Sequence, residues 1–325
     1  MEMPIYEISN VVKEFPIKQN IFEILQHKKA KTVCAVDNVS FKIQKGETLA
    51  LVGESGCGKS TLAKTLALLY TPDKGSLMFN GKNLQDKSNK NKIRSELQMI
   101  FQDPQSSLNP VMTVRQMLYE VFSVHHLCSR TEREAKALHV LNYVGMGTEA
   151  LDRKPTQLSG GQRQRVNIAR ALAMNPSFLI ADEPLSALDV SIQAQIVNLL
   201  LELQEKLCLT MLFISHDMRM VRYIADKVAV MYLGSIVEIG TTKDLYEHPA
   251  HPYTDILIKA APLVNPDYRS RKYAIKGEIP SPIDLPSGCR FAPRCPKTCE
   301  KCRKMRPELT LFDKNRSVAC FYPEE

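Results

Sequence analysis

No stretch of this 325-residue chain approaches the roughly 18 consecutive apolar residues that a bilayer span needs. The longest candidates, Thr48–Val52 and Leu209–Ile214, have only the length of a strand. The opening MEMPIYEISN carries Glu2 and Glu7 and no long apolar segment, so it does not read as a secretory signal. No motif is repeated. Compositional disorder and collagen-like repeats are excluded as well, because 44% hydrophobic and 24% charged residues suit a globule with a real core. The expectation is a cytosolic protein, or at most one peripheral on a membrane.

A strong charge imbalance is also lacking. Against 35 Asp+Glu stand 43 Lys+Arg, for a net +8, which fits a solvated surface, a nucleic-acid binder or a protein on anionic lipid. Charge alone does not choose between them. The length is too great for one average domain and too small for three, which favours one large domain with an appendage, or two domains. The nine cysteines are uneven: Cys34, Cys57, Cys128 and Cys208 are scattered through the first 288 residues, while Cys289, Cys295, Cys299, Cys302 and Cys320 crowd the last 37. With no export signal, such a cluster reads as a metal or cofactor site before it reads as disulfides.

Apolar runs of strand length at Glu47–Gly53, Ser76–Phe79, Phe178–Ala181, Leu209–Ile214 and Val228–Tyr232 alternate with helical patterns such as Lys59–Leu69 and Gly161–Met174. That alternation predicts an α/β fold with a largely parallel sheet covered by helices. From about residue 103 to 175 only helical patterns occur, two of them in Gln116–Val144 on either side of Cys128–Thr131, which predicts an inserted helical subdomain. Beyond about residue 250, prolines from Pro249 and Pro252 through Pro262, Pro266, Pro280, Pro282 and Pro286 break the chain into short pieces.

Residues 53–60 read GESGCGKS, a complete G-x-x-x-x-G-K-[ST] pattern between a predicted strand and a predicted helix, which is its confirming context. Gly53, Gly56 and Gly58 let the backbone curl so that N–H groups converge on phosphates, and the helix points its positive end at them. Lys59 would contact the β- and γ-phosphates and the Ser60 hydroxyl would ligate Mg²⁺. Glu54, Ser55, Cys57 and Thr61 complete the expected ATP-binding stretch. FLIADE delivers Asp182 and Glu183 at a strand end. Alone, such carboxylates more often cap the next helix. Beside a phosphate loop, Asp182 suits Mg²⁺ and Glu183 suits polarising a water for in-line attack.

LSGGQ at residues 158–162, about a hundred residues after the phosphate loop and shortly before ADEP, resembles the signature of the ATP-binding-cassette (ABC) ATPases. The resemblance covers about residues 5–250, with several motifs in the family order, and implies a P-loop NTPase cassette with a mostly parallel sheet core, an antiparallel β N-terminal part and an inserted helical subdomain. It implies further roles. Gln102 in QMIFQDP looks like the glutamine that links γ-phosphate and Mg²⁺ to the helical subdomain. SALD, ending at Asp189, looks like the D-loop, and His216 in FISHD like the switch histidine. Phe15 falls where an aromatic stacks on adenine, although it could equally be ordinary core. Ser159, Gly160, Gly161 and Gln162 would contact ATP bound to the opposite subunit, so one chain makes two half-sites and requires a second ATPase, identical or related.

With no fused membrane domain, no room for a long coiled-coil insertion and a single cassette, an importer ATPase remains. QDPQSSLNPVMTV (Gln102–Val114), the insertion between Phe15 and Val36, EHPAHPYTDIL and GCRFAPRCP look like the oligopeptide/dipeptide importer ATPases. The resemblance implies two membrane permeases, an extracytoplasmic binding protein, a place on the cytoplasmic face of the membrane and no nucleic-acid partner. Alternatives are the same machine importing nickel or another solute, and a non-transport cassette ATPase acting on nucleic acid. The expected division is residues 1–250 for the cassette and 251–325 for a small Cys-rich extension. Cys289, Cys295, Cys302 and Cys320, with Cys299 to spare, suit either Zn²⁺ or an iron–sulfur cluster; the resemblance implies a [4Fe-4S] cluster.

Overall fold

The computed structural model describes residues 3–17, 31–186, 188–260, 280–283 and 285–324. Most of the insertion noted between Phe15 and Val36, Ala187 of SALD, and Pro262 and Pro266 lie outside the described residues. Strands β1 (Tyr6–Pro16), β2 (Thr32–Ile43) and β3 (Thr48–Val52) precede the helix Lys59–Leu66. Next come β4 (Lys74–Phe79), β5 (Lys82–Asn83), the helix Lys87–Glu96 and β6 (Leu97–Ile100). Helices Pro104–Ser107, Val114–Val124, Arg133–Tyr143 and Gly160–Leu172 then intervene before β7 (Phe178–Asp182). After the helix Val190–Leu207 follow β8 (Thr210–Ser215), β9 (Lys227–Tyr232) and β10 (Ser235–Thr241). The helix Pro252–Ala260 and the short strands β11 (Thr310–Leu311) and β12 (Ser317–Val318) belong to the last quarter.

One sheet is antiparallel, in the order β2-β1-β4-β5. Along β1, Tyr6 and Ile8 alternate inward as period two requires, but the next buried residue is Val11. The register shift between Ile8 and Val11 explains the extra residue: Asn10 adopts φ 50 and its N–H donates to the Ser40 hydroxyl. The second sheet runs β11-β12-β10-β9-β3-β8-β7-β6, parallel from β9 to β6.

Strands β3, β7 and β8 are buried at every position, which is why they read as continuous apolar runs and not as alternation. Their side chains still divide by parity. Ala50, Val52, Leu179, Ala181, Met211 and Phe213 pack with the helical insertion and the helix Val190–Leu207. Leu49, Leu51, Phe178, Ile180, Leu212 and Ile214 pack with the helix Lys59–Leu66 and the antiparallel sheet. Tyr6 ties these layers together: its ring lies 5.7 Å from Phe79 and 5.3 Å from Phe178, and its hydroxyl donates to Leu66 O.

The segment 103–175 is helical throughout its regular structure, with the break between Val124 and Arg133 where polar residues interrupt the apolar pattern. Sequence patterning passed over β6 and the helix before it. That helix, KSNKNKIRSE, is polar on nearly every face, and β6 is only four residues long.

Past residue 250 the chain packs back onto the main sheet. Val318 and Ser317 of β12 pair with Glu238 and Ile239 of β10, extending the main sheet. Phe291 packs 5.3 Å from both Tyr232 and Tyr253. The fully buried Glu238 carboxylate accepts the Ala250 and His251 N–H groups at 2.9 and 2.8 Å. Continuous packing thus crosses the position where composition changes. Glu238→Ala strands two buried donors and should lower stability by about 3 kcal/mol, measured by urea denaturation.

Candidate active site

The phosphate loop joins β3 to the helix Lys59–Leu66. Gly53, Gly56 and Gly58 have φ of 153, 78 and 108°. At Gly58 space is as restrictive as conformation, since a Cβ there would lie 2.1 Å from Ala35 O. Lys59 is buried, and its ammonium donates to Gly53 O at 2.8 Å and Glu54 O at 3.0 Å, tethered over its own loop. Burial pushes the Cys57 thiol up.

The Ser60 hydroxyl donates to Asp182 Oδ1 at 3.0 Å, so the end of β7 meets the start of the helix. Burial raises the Asp182 carboxyl, and the adjacent Glu183 charge acts in the same direction, while the Ser60 hydrogen bond opposes both. A hydroxyl and a carboxylate converging at one point fit the oxygen preference of Mg²⁺. One residue on, Glu183 takes φ 46, in the left-handed region, with its N–H bonded to Ile214 O at 3.0 Å. Such a conformation costs about 1 kcal/mol or more in a non-glycine residue and aims a side chain where a regular strand would not.

That carboxylate is where the three expected catalytic residues meet. Gln102 Nε2 donates to Glu183 Oε2 at 3.1 Å, and His216 Nδ1 stands 3.4 Å from the same oxygen. Gln102 thus engages Glu183, one residue from the Asp182 that bonds Ser60.

Phe15, Ser55–Thr61, Gln102, Glu183 and His216 line one cleft of about 560 Å³. Phe15 sits at its wall, its ring 5.4 Å from Tyr70 and beneath Lys13 Nζ. Val33, Cys34, Ala35, Leu233, Gly234 and Pro282 also line it, and sequence reasoning missed them. They come from β2, from the β9–β10 turn and from the far end of the chain, and carry no motif. Ser159, Gly160, Gly161, Gln162 and Asp189 are not among the residues lining it. Ser159 instead caps the helix Gly160–Leu172, its Oγ accepting Gln162 N–H while Gln162 Oε1 accepts Ser159 N–H. Asp189 stands at the N-cap of Val190–Leu207.

The thiols of Cys289, Cys295, Cys302 and Cys320 line one small cavity, with His251 and Phe291 beside them. Burial holds all four neutral thiols above their ordinary range, Cys289 at about 11. Cys299 lies off the cavity, its Sγ 3.4 Å from Cys302 Sγ. Among the described residues no group of three or more His, Cys, Asp or Glu is arranged to hold a metal ion. The four cysteines share a cavity without being gathered around a single ion, as Zn²⁺ would require.

Fold and cleft define a nucleotide-hydrolysing P-loop cassette. Residues 36–186 match the ABC transporter family, and residues 237–302 match the C-terminal region of oligopeptide/dipeptide transporters. The chain is 46% identical over 321 residues to the oligopeptide transport ATP-binding protein AppF of Bacillus subtilis, covering 97% of this chain and 96% of that one. It is 43% identical over 323 residues to the dipeptide transport ATP-binding protein DppF of Escherichia coli, covering 99% and 95%. Among solved structures, the ATP-binding cassette MJ0796, a dimer in a post-hydrolysis state bound to ADP and Pi, matches with a TM-score of 0.63 at 28% identity. It covers 73% of this chain and 98% of its own. The chain belongs to the ATP-binding subunits of the oligopeptide/dipeptide ABC transporter family, and it is an ATPase.

Gly58→Ala should cost upward of about 2 kcal/mol and abolish MgATP binding, because neither φ nor Ala35 O can accommodate the methyl. Gly46→Ala, at φ 77 but facing open space, should cost about 1 kcal/mol and leave binding intact. Thermal unfolding and nucleotide titration check both.

Proposed function

We propose that this chain hydrolyses ATP to drive import of di- or oligopeptides through a pair of membrane permeases, after closing on a second ATPase subunit. The convergence of Gln102 and His216 on the single carboxylate of Glu183, beside the Ser60–Asp182 pair, is the observation that carries it. Lys59 and the loop amides receive the β- and γ-phosphates, and Ser60 and Asp182 hold Mg²⁺. Glu183 polarises the attacking water, with Gln102 and His216 fixing its orientation. The position of Ser159 and Gly161 off this cleft supports their service to a partner's nucleotide, at the N-terminus of a 13-residue helix.

Gln102 also begins the segment that leads from β6 into the helical insertion. A change at the γ-phosphate therefore reaches, within a few residues, the part of the chain suited to moving a permease. No helix among the described residues is long and apolar enough to cross a membrane. The spans of the transporter belong to other subunits, and this chain works against them from the cytoplasmic face. Peptide cargo, and not nickel, follows the relatives named above. Cargo crosses within the permeases and never meets the ATPase.

The four thiols around one cavity are a donor set of the right chemistry for a [4Fe-4S] cluster, which would anchor the extension through Cys289, Cys295, Cys302 and Cys320. Anaerobically purified protein should be coloured and contain about four irons per chain; colourless protein with stoichiometric zinc would reject the cluster. For the ATPase mechanism, Glu183→Gln should slow hydrolysis about a hundredfold or more while preserving ATP-dependent association with the second ATPase subunit. Phosphate release and size-exclusion chromatography read the two effects, and unchanged turnover would remove Glu183 from the reaction.

A further inference from the structure

The sequence GESGCGKS places a carboxylate, Glu54, inside a loop that must receive a polyanion. Left uncompensated, that charge would oppose the phosphates. Its compensation comes from 240 residues away. Arg294 donates from Nη1 to Glu54 Oε2 at 2.6 Å and from Nη2 to Oε1 at 3.0 Å, a two-pronged pair that only a guanidinium makes. The Arg294 side chain is 4% exposed and that of Glu54 21%, so solvent screens the pair weakly.

Arg294 is itself held in place. Nη1 also donates to Tyr232 Oη at 3.3 Å, and Tyr232 ends β9, the strand beside β3. The Glu54 N–H donates to Tyr253 Oη at 3.0 Å, so side chain and backbone of this one residue are both gripped by the C-terminal half of the chain. Phe291 packs against Tyr232 and Tyr253 and keeps the two phenols in register. Four residues before Arg294, Arg290 bonds Leu233 O and the Asp37 carboxylate. The neighbouring Gly234 N–H donates to Cys57 O at 2.8 Å. The segment CRFAPRC therefore reaches the phosphate loop near both ends, directly at Glu54 and through the 233–234 turn at Cys57.

We infer that Arg294 is a positioning residue for ATP binding: by neutralising Glu54 and fixing its orientation it keeps the phosphate loop receptive to the triphosphate. The Cys-rich extension is on this account a working part of the nucleotide site and not an appendage. The inference rests on residues 53–61 being the ATP site.

The test is a MgATP titration of the full-length chain at fixed ionic strength, with steady-state kinetics alongside. Arg294→Gln should weaken MgATP affinity about tenfold, raising KM while leaving kcat within about twofold, because the freed carboxylate repels phosphate. Glu54→Gln should move the other way, binding MgATP about threefold tighter, because Arg294 then faces the loop unpaired. The double variant should return to within about threefold of wild type. A purely structural clamp would predict losses of the same sign for both single variants and no recovery in the double; that pattern overturns the inference, as does unchanged affinity in Arg294→Gln. Should Arg294→Gln not fold, the sign for Glu54→Gln decides alone, and unchanged or weaker binding overturns it. Lys59→Ala separates the two levels: wild-type affinity there would refute the ATP site itself, whereas lost affinity there with no effect at Arg294 refutes only the positioning role.

Discussion

A strand buried on both faces can offer chemistry only at its ends, and this molecule is organised by that constraint. Strands β3, β8, β7 and β6 lie side by side and parallel, so their carboxyl ends form one edge. Val52 leads there into the phosphate loop, Ser215 into His216, Asp182 into Glu183 and Ile100, two residues on, into Gln102. The phosphate loop and three residues distant in sequence meet in one cleft because their strands are neighbours. The apolar packing on the two faces, divided by the parity of Leu49–Val52 and Leu179–Ala181, keeps that edge in register.

This architecture also explains what was legible from the amino-acid order. The phosphate loop, FLIADE and FISHD combine an apolar run with a distinctive polar end, so both the strand and the residue it delivers could be read locally. The polar helix Lys87–Glu96 and four-residue β6 lack periodic apolar signal and were missed. So were the cleft-lining Cys34 and Pro282, where the Cys34 N–H meets Pro282 O at 3.3 Å although most of the chain lies between them in sequence. Arg290 and Arg294 stood in plain view between the cysteines. Nothing in their spacing says that their partners are Asp37 and Glu54, because a contact across some 240 residues is a property of tertiary packing alone.

The compositional break near residue 250 does not interrupt packing. Prolines end regular elements, yet the chain returns to add β12 to the main sheet, to bury Phe291 and to line the nucleotide cleft with Pro282. The cysteines lie on this return path. Whatever sets their state acts within a few residues of two arginines that hold the phosphate loop. The extension and the nucleotide site are mechanically adjacent even though they are far apart in the chain.

The central claim is that the catalytic cleft is half of a site, completed by residues such as Ser159 and Gly161 that this chain presents elsewhere. The most direct test is MgATP turnover per chain, measured across a wide range of concentration with the second ATPase subunit of the same importer. Turnover should rise with subunit concentration and reach a plateau as paired chains complete one another's sites. A rate per chain that is independent of concentration and of the partner would contradict the account.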